Sequence, residues 1–456
     1  MVGPDYVPPK SELPANFTGQ TQPRAGGRSL DDDWWRKFGD PELDTLVSEA
    51  LVDNPDLAVA SARVQQARAE RAAVATEEDP DLSVGSSFRR QHGSANVPVG
   101  TPPGGLGHNV GSNLWLAGFD AGWEIDLFGG TRRAVESADA TVAATIADRR
   151  EAELVLVAEI VRDYIDVRAQ QRRVAIAREI LAVRRDALKL VTAQFNGGLA
   201  GALDPIRAQA ELDDSQAEIP EIETAEMAAI YRLGALVGKP PEDIAPSLLL
   251  PRPIPDGEID IPSVLPSDLL QRRPDIRAAE RRIEAANARI GMREADLFPH
   301  FSLTGAAGFE SLDAGDFLDG GSRYFAVGPS LTWLVFDSGR VHDEVLVETA
   351  RTNAAAADYQ RTVLTALGEV ETALVSYGHD RVERDARSHE VEAARQALTL
   401  AQRLYAQGLE DFLTVLDAER TLQASEMNLA TAEQGCADSL VALVKALGGG
   451  WTDSKG

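Results

Sequence analysis

The chain has 456 residues, enough for two or three domains, and carries 72 acidic against 45 basic residues for a formal net charge of −27. That balance excludes nucleic acid as a partner, because no basic surplus exists to neutralise phosphates; it points instead to an anionic surface or a cation-favouring cavity. The single cysteine, Cys436, excludes an intrachain disulfide and a cysteine-based metal site, and its Ala- and Leu-rich surroundings mark it as a small buried residue.

No stretch reaches the ~20 apolar residues of a membrane-spanning helix. The opening Met1-Val2-Gly3-Pro4-Asp5-Tyr6 has no basic and apolar leader, which leaves either a cytosolic protein or one whose leader has been removed. Pro4, Pro8, Pro9, Pro14 and Pro23 make residues 1–40 an extended arm. Asp40-Pro41 then opens a helix, an acidic cap with proline in the first turn. Leu43, Leu46, Val47, Ala50 and Leu51 give that helix an apolar face, and Asn54-Pro55 breaks it. A second helix, with Leu57, Ala60, Val64 and Ala67 on one side, stops at Asp79-Pro80.

The period now changes to two. Leu82, Val84, Ser86 and Phe88 alternate with Ser83, Gly85, Ser87 and Arg89. After a Gly- and Pro-rich loop a clearer strand sets Trp115, Ala117, Phe119, Ala121, Trp123, Ile125 and Leu127 against Leu116, Gly118, Asp120, Gly122, Glu124 and Asp126. Alternation over more than ten residues is long for a globular strand. An apolar face with two tryptophans and a small, acidic opposite face fit a transmembrane barrel strand. They fit a strand of a large soluble sandwich equally well.

Gly129-Gly130 leads into Thr131–Asn196, 66 residues with neither glycine nor proline. Helical throughout, such a rod would be about 100 Å long. Asn196-Gly197-Gly198 ends it, and a partner helix returns through Leu212 to Leu236, with a kink expected at Pro220. The segment from Pro240 to Pro266 reads as a Pro-rich connector with short β-like pieces.

The chain then repeats itself. Pro274-Asp275-Ile276 follows Pro55-Asp56-Leu57 at an offset of 219, as Pro299 follows Pro80. Phe301, Leu303, Gly305, Ala307 and Phe309 alternate with Ser302, Thr304, Ala306, Gly308 and Glu310. Phe325, Val327, Pro329, Leu331, Trp333 and Val335 form a further apolar face, and Trp333 lies 210 residues after Trp123. A second rod runs from Gly339 to Gln407, and Tyr405-Ala406-Gln407-Gly408-Leu409 matches Phe195-Asn196-Gly197-Gly198-Leu199 at 210. The change of offset falls in the hairpin loops, where length is tolerated.

The expected organisation is an arm over 1–40, a first repeat over 41–239 and a connector over 240–266, then a second repeat over 267–448 and a tail over 449–456. The repeats hold hairpins at about 81–128 and about 300–337 and long helices over 131–196 and 340–407. Four strands cannot close, and an open sheet in lipid would leave unpaired edges, so several copies must share one barrel. Eight strands leave an interior filled by side chains, which suits the small inner residues poorly. Three copies and 12 strands are the economical choice, with the long helices packed side by side through Ala-rich faces such as Ala354–Ala357.

The chain resembles the TolC/OprM type of outer-membrane efflux ducts, in particular their lipoprotein-like branch, over nearly its whole length. The resemblance rests on Val2-Gly3-Pro4-Asp5-Tyr6, Trp34-Trp35, Asp40-Pro41, Asn54-Pro55-Asp56-Leu57, Trp123-Glu124, Asp126-Leu127-Phe128-Gly129, Phe336-Asp337-Ser338-Gly339-Arg340, Tyr405 with Gly408, and Leu413 with Val415-Leu416-Asp417-Ala418. Each motif alone is weak; in order and in duplicate they are specific. The resemblance implies an α+β membrane protein made of a tandem-duplicated chain. Four transmembrane strands and long, coiled periplasmic helices from each copy would form a trimeric 12-stranded barrel above an α-helical barrel. It further implies the outer membrane of a Gram-negative bacterium, and a native lipoprotein form whose leader and acylated cysteine, expected just ahead of Gly3-Pro4-Asp5-Tyr6, are absent here, with Met1 near that place. The implied partners are two further copies, outer-membrane lipid, a periplasmic adaptor and an inner-membrane pump of the RND type. The duct would pass drugs or other small solutes outward, powered by the pump.

No enzyme signature is present, and neither a cofactor nor a metal is implied: His389-Glu390 lacks the second histidine of a zinc-protease helix, and no phosphate-cradling loop occurs. The resemblance puts Asp417 at the periplasmic aperture, with Asp204 in the corresponding region of the first half and Tyr405 as a helix-linking tyrosine. Carboxylates converging on a threefold axis attract cations and narrow an opening. Some relatives complete a lock with an arginine where this chain has Glu410, so Arg207 or Arg403 would have to substitute. The turns Asn196, Gly197, Gly198, Leu199 and Gln407, Gly408, Leu409, Glu410 are the expected adaptor-docking tips; glycines alone would also be explained as helix ends. Asp120, Glu124 and Asp126 are expected to face the lumen, and Trp115, Trp123 and Trp333 to face lipid near the interfaces. A soluble coiled-coil scaffold or adaptor is the alternative, and the outward tryptophans argue against it.

Overall fold

In the computed structural model the described residues are 1–9, 14, 17–18, 33–92, 112–198, 201–257 and 266–449. The elements in chain order are α1 (Pro41–Asp53), α2 (Pro55–Ala75), β1 (Asp81–Gln91), β2 (Ser112–Ile125), α3 (Gly130–Asn196), α4 (Leu203–Val237), α5 (Pro241–Leu248), α6 (Pro266–Arg272), α7 (Pro274–Ala295), β3 (His300–Ser311), β4 (Arg323–Thr332), α8 (Arg340–Ala406) and α9 (Phe412–Ala446). The protein is mostly helical with few strands. Two compact units divide it: Met1–Pro9, Val64–Thr145 and Ala279–Asp358 form the first, and Lys10–Arg63, Ile146–Ala278 and Tyr359–Gly456 the second.

The first unit holds one antiparallel sheet in the order β1-β2-β3-β4. Paired residues share a face, so the register aligns Val84, Phe119, Ala307 and Phe325 in one row and Leu82, Ala121, Gly305 and Val327 in the next. This face is apolar and exposed in the single chain: Val84 is 73% and Phe325 83% accessible. The opposite face aligns Gly85, Gly118, Gly308 and Tyr324 in one row. Tyr324 lies across these glycines, since a methyl on Gly118 would sit 2.7 Å from its Oη. An aromatic ring over glycines restores contact where no side chain exists.

The segment Met1–Pro9 is pinned to the same unit. Val2 N donates to Phe128 O at 2.9 Å, and buried Arg133 reaches Val2 O, Gly3 O and the Asp5 carboxylate. Gly3 has φ +84° and lies against the Gly291 backbone, where any Cβ would collide. Residues 10–13, 15–16 and 19–32 of the expected arm, the first hairpin loop over 93–111 with His108, and the tail from 450 lie outside the described residues.

In the second unit the fully buried Arg168 organises a polar core. Its guanidinium donates to Glu42 at 2.6 Å, to Gln171 at 2.8 Å and to the carbonyls of Leu248 and Leu250. Tyr164 donates to Asp40 beside it, and burial followed by that carboxylate pushes the phenol up, so it remains a donor. The network ties α1 and the stretch after α5 to α3.

Both long helices have 67 residues, and both return helices have 35. The return helix runs from Leu203 to Val237 and contains the expected stretch from Leu212 to Leu236, with Pro205 in its first turn. Two sequence expectations need correction. Among its described residues the connector contributes a helix, α5, rather than β-like pieces: Glu242 and Asp243 favour its N-terminus, and Ile244 and Leu248 bury one face. The last strand ends at Thr332, short of Trp333 and Val335, because its partner begins at His300 after Pro299, which has no N–H to extend the ladder.

Several contacts occur twice. Trp123 Nε1 donates to Glu78 O at 2.9 Å and Trp333 Nε1 to Leu297 O at 3.1 Å. Asn54 Nδ2 donates to Leu236 O at 2.8 Å, and Arg273 Nη1 to Ala446 O at 3.1 Å. Left-handed glycines recur as Gly129 and Gly339, Gly198 and Gly408, and Gly238 and Gly448.

Candidate functional site

The ends of the four long helices assemble in the second unit. Val191 of α3, Ala208 of α4, Leu398 and Ala401 of α8, and Phe412, Val415 and Leu416 of α9 form one buried cluster. Their helical spacing creates it: residues 412, 415 and 416 of α9 lie on one face. Gly408, at φ +71°, closes α8, with Leu409 N bonded to Leu404 O at 3.0 Å and Gly408 N to Tyr405 O at 2.9 Å. That double bond is the Schellman cap, which uses orphan carbonyls and needs a left-handed residue. Asp411 starts α9 by accepting from Thr414 N at 3.0 Å; that bond, aided by Arg207, holds its carboxyl below the usual range. Arg207 thus acts on Asp411, while Glu410 accepts only from Thr414 Oγ1, at 3.3 Å, among the described residues.

Tyr405 packs on the Phe412 ring at 5.5 Å and donates to Gln194 of α3. Burial, and then the Asp204 carboxylate, push its phenol up. Asp204 is half-buried in the first turn of α4. Asp417 is exposed one turn into α9. Asn196, Gly197, Gly198, Gln407, Gly408, Leu409 and Glu410 are exposed; Leu199 lies outside the described residues.

Behind the tip sits a network that sequence reasoning missed. Arg184 of α3 is buried and donates to Glu211 O at 2.9 Å, to Ser215, and to Gln423 Oε1 at 2.8 Å. Its guanidinium also pairs with the Glu211 carboxylate at 3.3 Å, which Arg420 of α9 meets from the other side. One charged cluster joins α3, α4 and α9. A charged residue in the middle of a rod gives no local signal of this role.

On the sheet, Asp120 and Glu124 are exposed on the polar face of β2, and Glu124 meets His300 Nδ1 at 2.8 Å. Asp126 is placed differently. It lies past the strand end and accepts from Gly129 N at 2.6 Å and Arg132 N at 3.0 Å, at the start of α3. Asp337 does the same for α8, accepting from Gly339 N and Val341 N, both at 2.9 Å. Trp115 packs against Phe88 with ring centroids 4.4 Å apart and planes tilted by 39°. Trp123 and Trp333 keep an exposed ring while the indole N–H is satisfied. Among the described residues no helix is long and apolar enough to cross a membrane.

The sequence profile of the family described as outer membrane efflux protein matches residues 46–239 and again 265–449. Nodulation protein T of Rhizobium leguminosarum bv. viciae is 32% identical over 461 residues, spanning 100% of this chain and 92% of that protein. Outer membrane protein OprJ of Pseudomonas aeruginosa is 31% identical over 455 residues, spanning 100% and 94%. The solved outer-membrane channel OprN superposes with a TM-score of 0.90 at 36% identity, covering 99% of each chain.

Proposed function

The chain belongs to the outer membrane efflux protein family, and from that premise we propose how it builds its duct: three copies close one 12-stranded barrel, each supplying the sheet β1-β2-β3-β4. The protein is an outer-membrane exit duct of an efflux system, with periplasmic helices. The observation that carries the barrel reading is the open sheet, with β1 and β4 as edges and an exposed apolar face. Such a sheet is stable in lipid only when its edges are paired. The small residues of the other face leave room for a lumen lined by Asp120 and Glu124, and Trp115, Trp123 and Trp333 anchor the outer surface near the interfaces.

The duplication is part of the reading. Two separate matches to one family profile, equal helix lengths and contacts repeated at the sequence offsets support a chain built from two copies of one unit. Asp417, Asp204 and Tyr405 form the periplasmic aperture. The exposed turns at Gly198 and Gly408 receive a periplasmic adaptor, which couples the duct to an inner-membrane pump of the RND type. Drugs or other small solutes are its cargo, and the chain does no chemistry on them. Cation attraction by converging Asp417 carboxylates is tested in planar bilayers. Asp417→Ala should raise ion leak and weaken block by multivalent cations; unchanged conductance and block would remove Asp417 from the aperture.

A further inference from the structure

The stripe of α9 that enters the tip cluster runs Phe412, Val415, Leu416, and its next position is Glu419. A carboxylate here stands where the helical period asks for an apolar side chain. Glu419 is 5% exposed, and neither carboxylate oxygen has a hydrogen-bond partner of regular geometry among the described residues. Glu426, two turns further along the same stripe, is equally buried but has Arg395 at 2.7 Å. The groups facing Glu419 are Arg184 from α3, Glu211 from α4 and Gln402 from α8. Arg184 gives its Nη donors to Glu211, Ser215 and Gln423 while its Nε is buried without a hydrogen-bond partner, and Arg420, its neighbour on α9, is committed to Glu211. Among the described residues no cation forms an ion pair with Glu419, and an unpaired buried charge is expelled or protonated.

Resting on the reading of this end as the aperture, we propose that Glu419 is a proton-operated latch: the neutral acid lets α9 pack against α3, α4 and α8, and loss of the proton loosens that end of α9 so that the carboxylate can reach water. Burial pushes the Glu419 carboxyl up, with Glu211 adding to the effect and Arg184 and Gln402 opposing it. The sign follows from linkage. A carboxyl raised in the packed state favours that state fully below its ordinary range, and this preference is lost as pH rises through the raised value. Acidification therefore closes the tip and neutral pH loosens it.

The test is amide hydrogen exchange of the full-length protein in detergent at pH 5 and pH 7, corrected for intrinsic rates, over peptides spanning residues 404–422. In the unmodified protein, protection should fall as pH rises from 5 to 7, because the carboxyl holds its proton more tightly when packed than when loosened. Glu419→Gln, which keeps shape and removes charge, and Glu419→Leu, which completes the stripe, should both hold protection constant. A pH difference that survives in either variant, or none in the unmodified protein, overturns the latch. Bilayer conductance over the same pH range separates the two readings. If the exchange difference vanishes in Glu419→Gln while its conductance profile matches the unmodified protein, the latch stands and the aperture reading fails.

Discussion

A buried carboxyl is informative only together with what surrounds it, and this chain offers two contrasting cases. Glu426 has Arg395 at 2.7 Å, whereas Asp438 shares a cavity of about 600 Å³ with Glu159, Asp163, Asp166, Arg162 and Arg232. Burial pushes the Asp438 carboxyl up to about 6, with Asp166 and Asp163 adding to the effect and Arg162, at 3.7 Å, opposing it. The stability that this group contributes is present in full below the ordinary carboxylate range and is lost as pH rises through about 6. Asp438→Asn should therefore stabilise the protein at pH 7 by on the order of 1–2 kcal/mol and leave it unchanged at pH 4. Thermal unfolding at the two pH values checks this, and equal effects at both would show that packing does not raise this carboxyl. Little of this was legible in the sequence. Arg184, Glu419 and Asp438 sit in helices whose pattern says only that they are helical, and their partners lie on other elements. Asp126 shows the opposite failure: strand alternation continued one residue too far and assigned to the lumen a side chain that begins a helix.

At the level of elements the sequence was more generous. An absence of glycine and proline over Thr131–Asn196 defined α3 within one residue, because nothing else interrupts a helix so surely. Ends were harder where partners decide them. Thr332 terminates β4 only because β3 starts at His300, and no residue of β4 itself announces it. Helix junctions carry a testable symmetry. Asn54 accepts from Leu57 N at 3.0 Å as it donates to Leu236 O, while Arg273 pairs with Asp275 and Glu369 as it donates to Ala446 O. The two residues do the same job, tying the start of one helix to the end of a return helix, with different chemistry. Asn54→Ala should cost about 1–2 kcal/mol, a lost cap plus an unpaired carbonyl. Arg273→Ala should cost more, because Glu369 and Asp275 lose a buried cation. Denaturant unfolding of the two variants ranks them; a smaller loss for Arg273→Ala would contradict the network reading.

At the scale of the whole molecule the strands were legible from alternation, and two numerical offsets support the repeat proposed above. What distinguishes the halves was not legible. The Arg168 network is not repeated in the second half, where Gly378 stands 210 residues on and carries no side chain to build it. The two halves share helices and hairpins while differing in the polar groups that fasten them. The sheet has one further consequence. Its two edges, β1 and β4, are different strands, so in the barrel proposed above each joint between copies would be head-to-tail and every chain would contribute to two joints. A subunit with one unusable edge therefore spoils a ring made otherwise of sound subunits. In cells making equal amounts of intact chain and a chain with proline substitutions along β1, about one ring in eight should be free of faulty subunits if three copies form it and mix at random. Export activity falling to about that fraction, rather than to one half, would reveal such poisoning, and the same titration would count the subunits.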